Sequence, residues 1–398
     1  MKTGRWAAND RRRSTGSRVR IGFAAALSFV TAAPASAQLQ MSGQVEALAL
    51  TRSDTRGLNL NFRGDSPFST LRMRMFAQRW ITPEIGVFAE VLYDIESAPR
   101  INGAYLVINE IAGLDWLSVR AGMAPSLVGN FGLRSTYFNA NPVIGVPLVH
   151  QHRTTLDGSG LATAADLLRR RENNIIGLPM MYDACWNIVW ELLGHAGRFE
   201  YSLGATSGSV SNPLATRGED GVQVLARLGY EPVDGLRLGV SGVLGPYIGG
   251  PNRDPGTVAT SYPGDADDYD QRVLGFDAEW LVRKFHFFAE GYVSDWEVPL
   301  IPDDDISARG AYLEGRYDFL PAWFAALRVG TLTFSEIAVP SPGSGRTGWD
   351  DDVLRIESSL TYRVAREVHL RANWQHSRFL TGDERPIDLI GVQLRAVF

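Results

Sequence analysis

The sequence predicts an all-β fold: a closed antiparallel transmembrane β-barrel of about 16 strands, with a long third loop folded toward the lumen. Three observations predict it. Apolar and polar residues alternate along many short segments, as expected for strands with two different faces. The connections between these segments are alternately short and long, which is typical of transmembrane barrels. Aromatic residues also recur beside the short connections.

Composition excludes several other classes of protein. The 398 residues are 45% hydrophobic and 21% charged, as in an ordinary folded chain. Cys185 is the single cysteine, which excludes an internal disulfide framework and a multi-cysteine metal site. The formal net charge of −5 argues against a nucleic-acid partner, which favours a basic surface. We expect no cofactor and no metal.

The first 37 residues are predicted to be a secretory signal peptide, and residues 38–398 the barrel. Basic residues at 11–13, 18 and 20 precede a short apolar stretch at 21–33, and Ala35-Ser36-Ala37 offers a cleavage site. An amphipathic anchor or a buried helix is the alternative. Because the removed part is basic, the mature chain would be more acidic than the full chain.

Alternation defines sixteen candidate strands in chain order. They begin near residues 39, 69, 85, 101, 116, 184, 197, 221, 236, 271, 285, 306, 323, 352, 367 and 387. The clearest segments are 71–75, 354–360 and 368–375, in which arginine or another polar residue follows each apolar one. The residues predicted to face lipid include Leu71, Met73, Met75, Leu354, Ile356, Leu370 and Leu394.

The predicted connections form two sets. The short ones lie near residues 82–83, 113, 197, 234–235, 283–284, 321 and 365. The long ones are 53–67, 124–182, 207–220, 248–270, 299–305, 337–350 and 380–386, and the connection near residue 98 is the one short member of this set. An even strand count would place both termini on the side of the short turns.

Aromatic residues are predicted to form a ring at the membrane interface on the short-turn side, where amphipathic rings are favoured. Taken singly, any of them could instead be a core residue. The members of this set are Trp80, Trp116, Tyr230, Trp280, Phe285, Tyr317, Trp323, Tyr362 and Phe398.

If the apolar residues face lipid, the residues between them line the lumen. A charged arginine on the lipid face would cost about 2–4 kcal/mol at mid-bilayer, so the opposite assignment is disfavoured. About sixteen strands enclose enough space for an aqueous channel. The predicted pore-lining residues are Arg72, Arg74, Glu90, Asp94, Arg120, Arg198, Glu200, Asp277, Glu279, Glu290, Glu314, Arg328, Arg355, Arg371 and Arg395, with Glu191, Arg227, Arg237, Arg316 and Glu357 on the same face.

The signs of these charges are unevenly distributed. Strands ten to twelve carry mostly acidic residues, whereas the last four strands and the first two carry mostly arginines. Opposed walls would create a transverse field and a weak anion preference. The alternative is that the charges pair locally across neighbouring strands.

The long third loop, 124–182, is predicted to constrict or plug the lumen, because loops of this length are usually functional. An extracellular flap is the alternative. Residues 161–171 read as a short helix that ends in three arginines. The predicted constriction residues are Arg153, Arg169, Arg170 and Arg171. His150, His152 and Asp157 could form a metal site, but polar loop residues are the preferred interpretation.

Two further patterns have plain alternatives. Acidic clusters at 265–270, 303–305 and 350–352 could bind calcium or bridge lipopolysaccharide, although solvated loops are the preferred interpretation. Ser377 beside His376 could suggest a hydrolase, but no third catalytic residue accompanies the pair. We therefore predict that the protein is not an enzyme.

Several segments resemble Gram-negative outer-membrane porins of the sixteen-strand type. Residues 392–398 resemble the closing strand of that class, whose final phenylalanine is read by the barrel-assembly machinery. Residues 117–123 and Asn130-Phe131-Gly132 resemble a strand and loop of phosphate-selective porins. Residues 141–148 resemble a segment of uncharacterised porin-like proteins.

The resemblance implies a function in the bacterial outer membrane. The protein would form a water-filled channel for passive diffusion of small hydrophilic or anionic solutes. Its expected partners are outer-membrane lipid and lipopolysaccharide, the barrel-assembly machinery through Phe398, and two further copies in a homotrimer. The alternative is a plugged, substrate-specific or structural barrel that acts with a partner protein.

Overall fold

The computed structural model describes residues 39–51, 59–60, 66–95, 97–125, 127–136, 141–182, 186–213, 221–249, 261–381 and 386–398. The predicted signal peptide and Cys185 lie outside these ranges. The strands are β1 (Gln40–Leu50), β2 (Leu71–Trp80), β3 (Ile85–Asp94), β4 (Ser97–Ile108), β5 (Ser118–Pro125), β6 (Trp186–Ala196), β7 (Phe199–Ser207), β8 (Gln223–Val233), β9 (Leu236–Pro246), β10 (Asp270–Val282), β11 (Phe285–Trp296), β12 (Ile306–Leu320), β13 (Trp323–Phe334), β14 (Glu336–Ala338), β15 (Arg346–Gly348), β16 (Val353–Arg363), β17 (Val368–Phe379) and β18 (Ile387–Val397).

In the described part of the chain, three short α-helices lie between β5 and β6, and two 3-10 helices (Ile111–Gly113 and Ala266–Asp268) precede β5 and β10. The α-helices are α1 (Phe131–Thr136), α2 (Leu148–Gln151) and α3 (Ala164–Glu172). Thr163 caps α3 by accepting a hydrogen bond from the Asp166 amide, and Asp166 accepts one from the Thr163 amide in return. In the described ranges, no helix is long and apolar enough to cross a membrane.

Sixteen of these strands form one closed antiparallel barrel, which confirms the predicted fold class. Neighbouring barrel strands pair in chain order, and β14 and β15 form a separate hairpin between β13 and β16. The barrel closes where β1 pairs with β18. At this closure Gly43 and Phe398 exchange backbone hydrogen bonds of 2.8 and 2.9 Å.

The observed strand starts agree closely with the predicted ones. The largest difference is at β4, which begins at Ser97 rather than near residue 101. Ser97 pairs directly with Asp94. The register between β3 and β4 shifts twice, once between Glu90 and Val91 and once between Leu92 and Asp94. This irregular pairing and the neighbouring Pro99 interrupt the alternation, so the sequence pattern became clear only further along the strand.

The strands present two different faces. Along β17 the inward Arg371 is 2% exposed, whereas the adjacent outward Leu370 is 41% exposed. The outward side of β10 carries Leu274 and Phe276, both more than half exposed, and its inward side carries the buried Asp277. An apolar exterior and a polar interior suit a barrel surrounded by lipid.

Several predicted interface aromatics pack in pairs at the short-turn ends of their strands. Ring centroids are 4.5 Å apart for Phe285 and Tyr317 and 4.7 Å apart for Trp323 and Tyr362. The tight turn between β8 and β9 uses Gly235 at a φ of 84°, which a glycine adopts without strain.

Candidate functional site

The inward charges of neighbouring strands, or of strands with one strand between them, form ion pairs. Arg74 Nε donates to Glu90 across β2 and β3 at 2.6 Å, and Arg120 Nε donates to Glu191 across β5 and β6 at 2.9 Å. Arg227 binds the Asp277 carboxylate with two nitrogen atoms, at 3.0 and 2.7 Å. Weaker pairs join Arg72 to Asp94, Arg227 to Glu200, Arg237 to Glu279 and Arg395 to Glu46, at 3.6–3.9 Å.

This geometry favours local pairing over two opposed walls of unpaired charge. Arg328 illustrates the point, because it lies on the predicted basic wall and yet contacts two carboxylates. Its guanidinium donates to Glu357 at 2.6 Å and to Glu314 at 3.1 Å, and all three side chains are almost fully buried. A buried arginine needs such partners, because an uncompensated charge in the interior is costly.

Among the predicted pore-lining residues, Arg198 needs a correction. The structure places it in the turn between β6 and β7, where its side chain is 54% exposed. Its guanidinium donates to the carbonyl oxygens of Glu231 and Pro232 at 3.1 and 2.6 Å. Gly197, at a φ of 63°, ends the strand pairing just before it. The alternation predicts a strand start near residue 197, whereas β7 begins two residues later, at Phe199.

The residues between β5 and β6 that the structure describes, 127–136 and 141–182, are called the inner segment below. Their contacts reach inward side chains from many parts of the wall. The amides of Asn130 and Phe131 both donate to Glu290 Oε1 on β11, at 2.6 and 2.7 Å. His150 Nε2 lies 2.8 Å from the other oxygen of Glu290 and stacks on Phe131. One buried carboxylate therefore holds α1 and α2 together.

A second anchor is Arg134 of α1. Its guanidinium pairs with Glu314 on β12 and donates to the Tyr312 hydroxyl at 3.0 Å. The same group lies 3.7 Å above the centre of the Phe288 ring, in a cation–π arrangement. Glu314 is thereby shared between an arginine of the inner segment and Arg328 of the wall.

A third set of contacts joins wall side chains to the segment at residues 142–151. Arg328 Nη2 donates to the Gly145 carbonyl at 2.6 Å, and Arg355 Nη1 donates to Gln151 Oε1 at 3.1 Å. Asn373 Oδ1 accepts the Ile144 amide at 3.1 Å. Arg328 and Arg355, which belong to the predicted basic wall, therefore bind the inner segment.

Apolar packing also joins the inner segment to the wall. Leu148, Val149, Met180 and Met181 are each at most 1% exposed and belong to one buried cluster. Wall residues in the same cluster come from β8 to β13 and from β16, and they are Leu225, Val243, Val273, Phe288, Tyr292, Trp296, Ile306, Ala308, Tyr312, Leu332 and Val353. These inward apolar positions are an exception to the polar interior.

The four arginines predicted for the constriction mostly bind the protein backbone or loop carboxylates. Arg153 donates to the Gly177 carbonyl at 2.9 Å, and Arg170 donates to the carbonyl oxygen of Thr155 at 2.8 Å. Arg171 donates to Asp351 at 2.8 Å and to the Gly348 carbonyl at 2.6 Å. Arg169 is the most exposed of the four, and it lies 3.5 Å from Asp166.

Two buried titratable groups lie where the inner segment meets the wall and the chain before β16. Burial raises the pKa of Asp350 to about 7, although the carboxylate accepts the amides of Asp351 and Thr155. Burial, with a smaller effect from the charge of Arg355, lowers the pKa of His152 to about 3. Both groups are therefore largely uncharged in weak acid.

The alternative catalytic and metal sites are not assembled in the described ranges. His376 faces outward and lies 3.0 Å from Asp388, whereas Ser377 faces inward toward Arg355. Adjacent strand residues point to opposite faces, so this serine and histidine cannot act together. No group of three or more histidine, cysteine or acidic side chains that the structure describes is arranged to hold a metal ion.

Sequence reasoning missed a neutral polar cluster on the wall near the long loops. Gln223 and Gln271 are almost fully buried there and bind the hydroxyl groups of Ser209 and Ser211. Gln271 also donates to the Met180 carbonyl of the inner segment at 3.1 Å. Uncharged inward residues gave no signal in a search based on charge, although the serine-rich stretch 207–211 was a visible cue.

A closed barrel of sixteen antiparallel strands, apolar outside and charged inside, defines the class of outer-membrane β-barrels. No family model matches the chain, and no curated protein matches it. Solved structures do. The outer-membrane channel DcaP of Acinetobacter baumannii aligns at a TM-score of 0.54 and 12% identity, over 91% of this chain and 97% of that one.

Two more solved structures share the fold. A loop L8 deletion mutant of OmpT, an outer-membrane protein of Vibrio cholerae, aligns at a TM-score of 0.53 and 12% identity, over 91% of this chain and 99% of that chain. OmpF of Salmonella typhi, in complex with daunomycin, aligns at 0.52 and 10% identity, over 90% and 97%. At these identities the similarity establishes the sixteen-strand fold.

Proposed function

We propose that the protein is a porin of the bacterial outer membrane, which forms a channel for passive diffusion of small hydrophilic solutes. The observation that carries the proposal is the distribution of charge on the closed barrel. Ion pairs such as Arg120–Glu191 lie on the inner face, whereas the outer face is apolar. Sixteen strands enclose enough space for an aqueous channel between these charged walls.

We also propose that the inner segment narrows this channel. Its backbone amides bind Glu191 on β6, Glu290 on β11 and Asn373 on β17, which lie on widely separated parts of the wall, so the segment crosses the path of a solute. The similar structures support a channel, because DcaP is described as an outer-membrane channel. The resemblance to phosphate-selective porins makes phosphate one solute to include in transport assays.

Three accompanying expectations belong to the same proposal. Residues 1–37 act as a signal peptide that directs export. Phe398, which is 63% exposed at the barrel closure, serves as the assembly signal. The protein assembles as a homotrimer, which is supported by the trimer form of Vibrio cholerae OmpT, a structure that aligns at a TM-score of 0.52. Cross-linking of purified protein in mild detergent tests this last expectation.

Planar-bilayer recordings of the purified full-length protein test the channel. We expect ohmic conductance steps, and we expect larger steps after residues 159–175 are replaced by two glycines. This excision suits the structure because Thr154 and Leu178 are hydrogen-bonded at the base of the removed loop. Replacing residues 340–344 of the exposed β14–β15 turn by two glycines is the matched control.

The outcomes separate the two candidate functions. Conductance from the wild type, enlarged only by the excision at 159–175, supports the porin. A folded wild type that is silent, together with a conducting excision variant, supports the plugged barrel, which the buried apolar cluster of the inner segment favours. If both folded proteins stay silent, the channel proposal is wrong.

A further inference from the structure

We propose that Arg371, Arg395 and His369 form a binding site for a small oxyanion inside the barrel. The inference deepens the proposed porin function and rests on it only for the route by which the anion enters. The site lies on the wall formed by β17 and β18, near their short-turn ends.

Strand pairing brings the three side chains together. His369 on β17 and Arg395 on β18 are direct cross-strand partners. Arg371 lies two residues further along β17 and on the same face, and such diagonal neighbours are about 7–8 Å apart. All three side chains are buried, with exposed fractions of 6%, 6% and 2% for His369, Arg395 and Arg371. The site is therefore shielded from bulk solvent.

The hydrogen bonds of Arg371 go to neutral acceptors. Its Nε donates to the Thr361 hydroxyl at 3.1 Å, and Nη1 donates to the Val143 carbonyl at 3.3 Å and to Gln393 Oε1 at 3.5 Å. Its Nη2 has no hydrogen-bond partner among the residues that the structure describes. A buried guanidinium without a carboxylate partner is costly, so this group calls for a counter-anion.

Neighbouring carboxylates already have partners. Glu314, which acts electrostatically on Arg371, pairs with Arg134 and Arg328. The other arginines near this site share two carboxylates: Glu46 lies 3.9 Å from Arg395, and Asp318 is bound by Arg316 at 2.8 Å and by Arg363 at 2.7 Å. Among the residues that the structure describes, these two carboxylates pair with Arg395, Arg316 and Arg363, and Arg371 forms no ion pair with either.

Two buried nitrogen atoms define the chemistry of the ligand: one belongs to a guanidinium, and the other donates in the His369 tautomer that carries its proton on Nδ1. Arg371 Nη2 and His369 Nδ1 are both buried atoms without a hydrogen-bond partner in the described part of the chain. An oxyanion offers several acceptor oxygens, and hydrogen bonds between a guanidinium and an anion are among the strongest in proteins. The ligand class is a small oxyanion, either inorganic phosphate or the carboxylate of a small organic acid.

The test measures binding without conduction. Full-length barrel in detergent is heated in phosphate, in acetate and in chloride at equal ionic strength, and loss of the folded form is followed by electrophoretic mobility. We expect phosphate or acetate to raise the midpoint by about 4 °C or more over chloride. The more effective anion identifies phosphate or organic carboxylate as the better ligand. Equal midpoints in all three salts would overturn the proposal.

Variants assign the effect to the site. R371Q should weaken the dissociation constant for the effective anion, measured by calorimetry, at least about tenfold. R378Q is the matched control, because Arg378 is an exposed, outward residue of the same strand, and it should bind as the wild type does. If R371Q does not assemble, R371K serves instead, since it keeps the charge and loses the planar fork.

Undiminished binding by the Arg371 variant would overturn the assignment. A barrel that binds the anion but does not conduct would contradict the proposed porin function alone.

Discussion

The shifted pKa values of Asp350 and His152 predict that the stability of the inner segment changes little in mild acid. Single substitutions at either residue should remove this insensitivity. Between about pH 6 and 4.5, folding leaves Asp350 protonated and His152 neutral, because their pKa values are about 7 and about 3. In the unfolded chain both groups are charged over this range. Acid therefore relieves the cost of burying Asp350 while it increases the cost of burying His152.

The two effects are nearly equal. A difference of one in pKa corresponds to about 1.4 kcal/mol, so complete titration would change stability by about 4 kcal/mol for Asp350 and about 5 kcal/mol for His152. Over the 1.5 pH interval each contributes about 2 kcal/mol, with opposite sign. In the wild type we expect the stability of the inner segment to be nearly constant over this range.

Hydrogen exchange of the inner segment at pH 6 and 4.5, corrected for intrinsic rates, measures this balance. D350N removes the aspartate contribution, so that only the histidine contribution remains. The opening free energy of the inner segment in this variant should therefore fall by about 2 kcal/mol on acidification. H152N removes the histidine contribution, so that only the aspartate contribution remains. The opening free energy of the inner segment in that variant should rise by a similar amount. If both variants respond to pH as the wild type does, the reasoning is refuted.

Three further predictions concern the anchors and the wall. E290A removes the acceptor of two amides and of His150, so the inner segment should loosen by about 3 kcal/mol or more and conductance should rise. D295A, on the outward side of the same strand, should leave conductance unchanged. Deleting Phe398 should lower the amount of heat-modifiable barrel in the outer membrane, and normal amounts would place the assembly signal elsewhere. In a C185S background, a membrane-impermeant thiol reagent should label cysteines at 72 and 74 and spare those at 73 and 75, and the reverse pattern would contradict the register.

The barrel could be predicted from the sequence because its rules are local. Alternation is a property of two adjacent residues, and a short turn needs only two more, as at Asp234 and Gly235. Lipid excludes charge from the middle of the outer face, so the face of an arginine in the middle of a strand follows directly, whereas Arg378 near the end of β17 lies on the outward face. The start of β4 was the least accurate, because the shifted register beside Glu90 depends on pairing with β3.

The contacts of the lumen could not be predicted in the same way. Glu290 was assigned to the pore wall from its position in the strand, but its partners, Asn130 and His150, lie about 140 to 160 residues away. No periodicity relates such distant positions. The pairing of Arg120 with Glu191 likewise depends on which strand follows the long connection. The sign of each charge can be predicted from its residue type, whereas its partner is determined by the tertiary structure.

The distribution of partners also explains which charges can act on a solute. A carboxylate that receives an arginine at hydrogen-bond distance, as Asp277 receives Arg227, contributes little to the field in the lumen. Selectivity then depends on the charges that remain in excess, rather than on the net charge of the chain. Arg371 is the best example, because its described partners are all neutral. An acidic protein can in this way contain an anion-preferring site, since most of its carboxylates are already paired or lie in the outer loops, where salt screens them over about 8–10 Å.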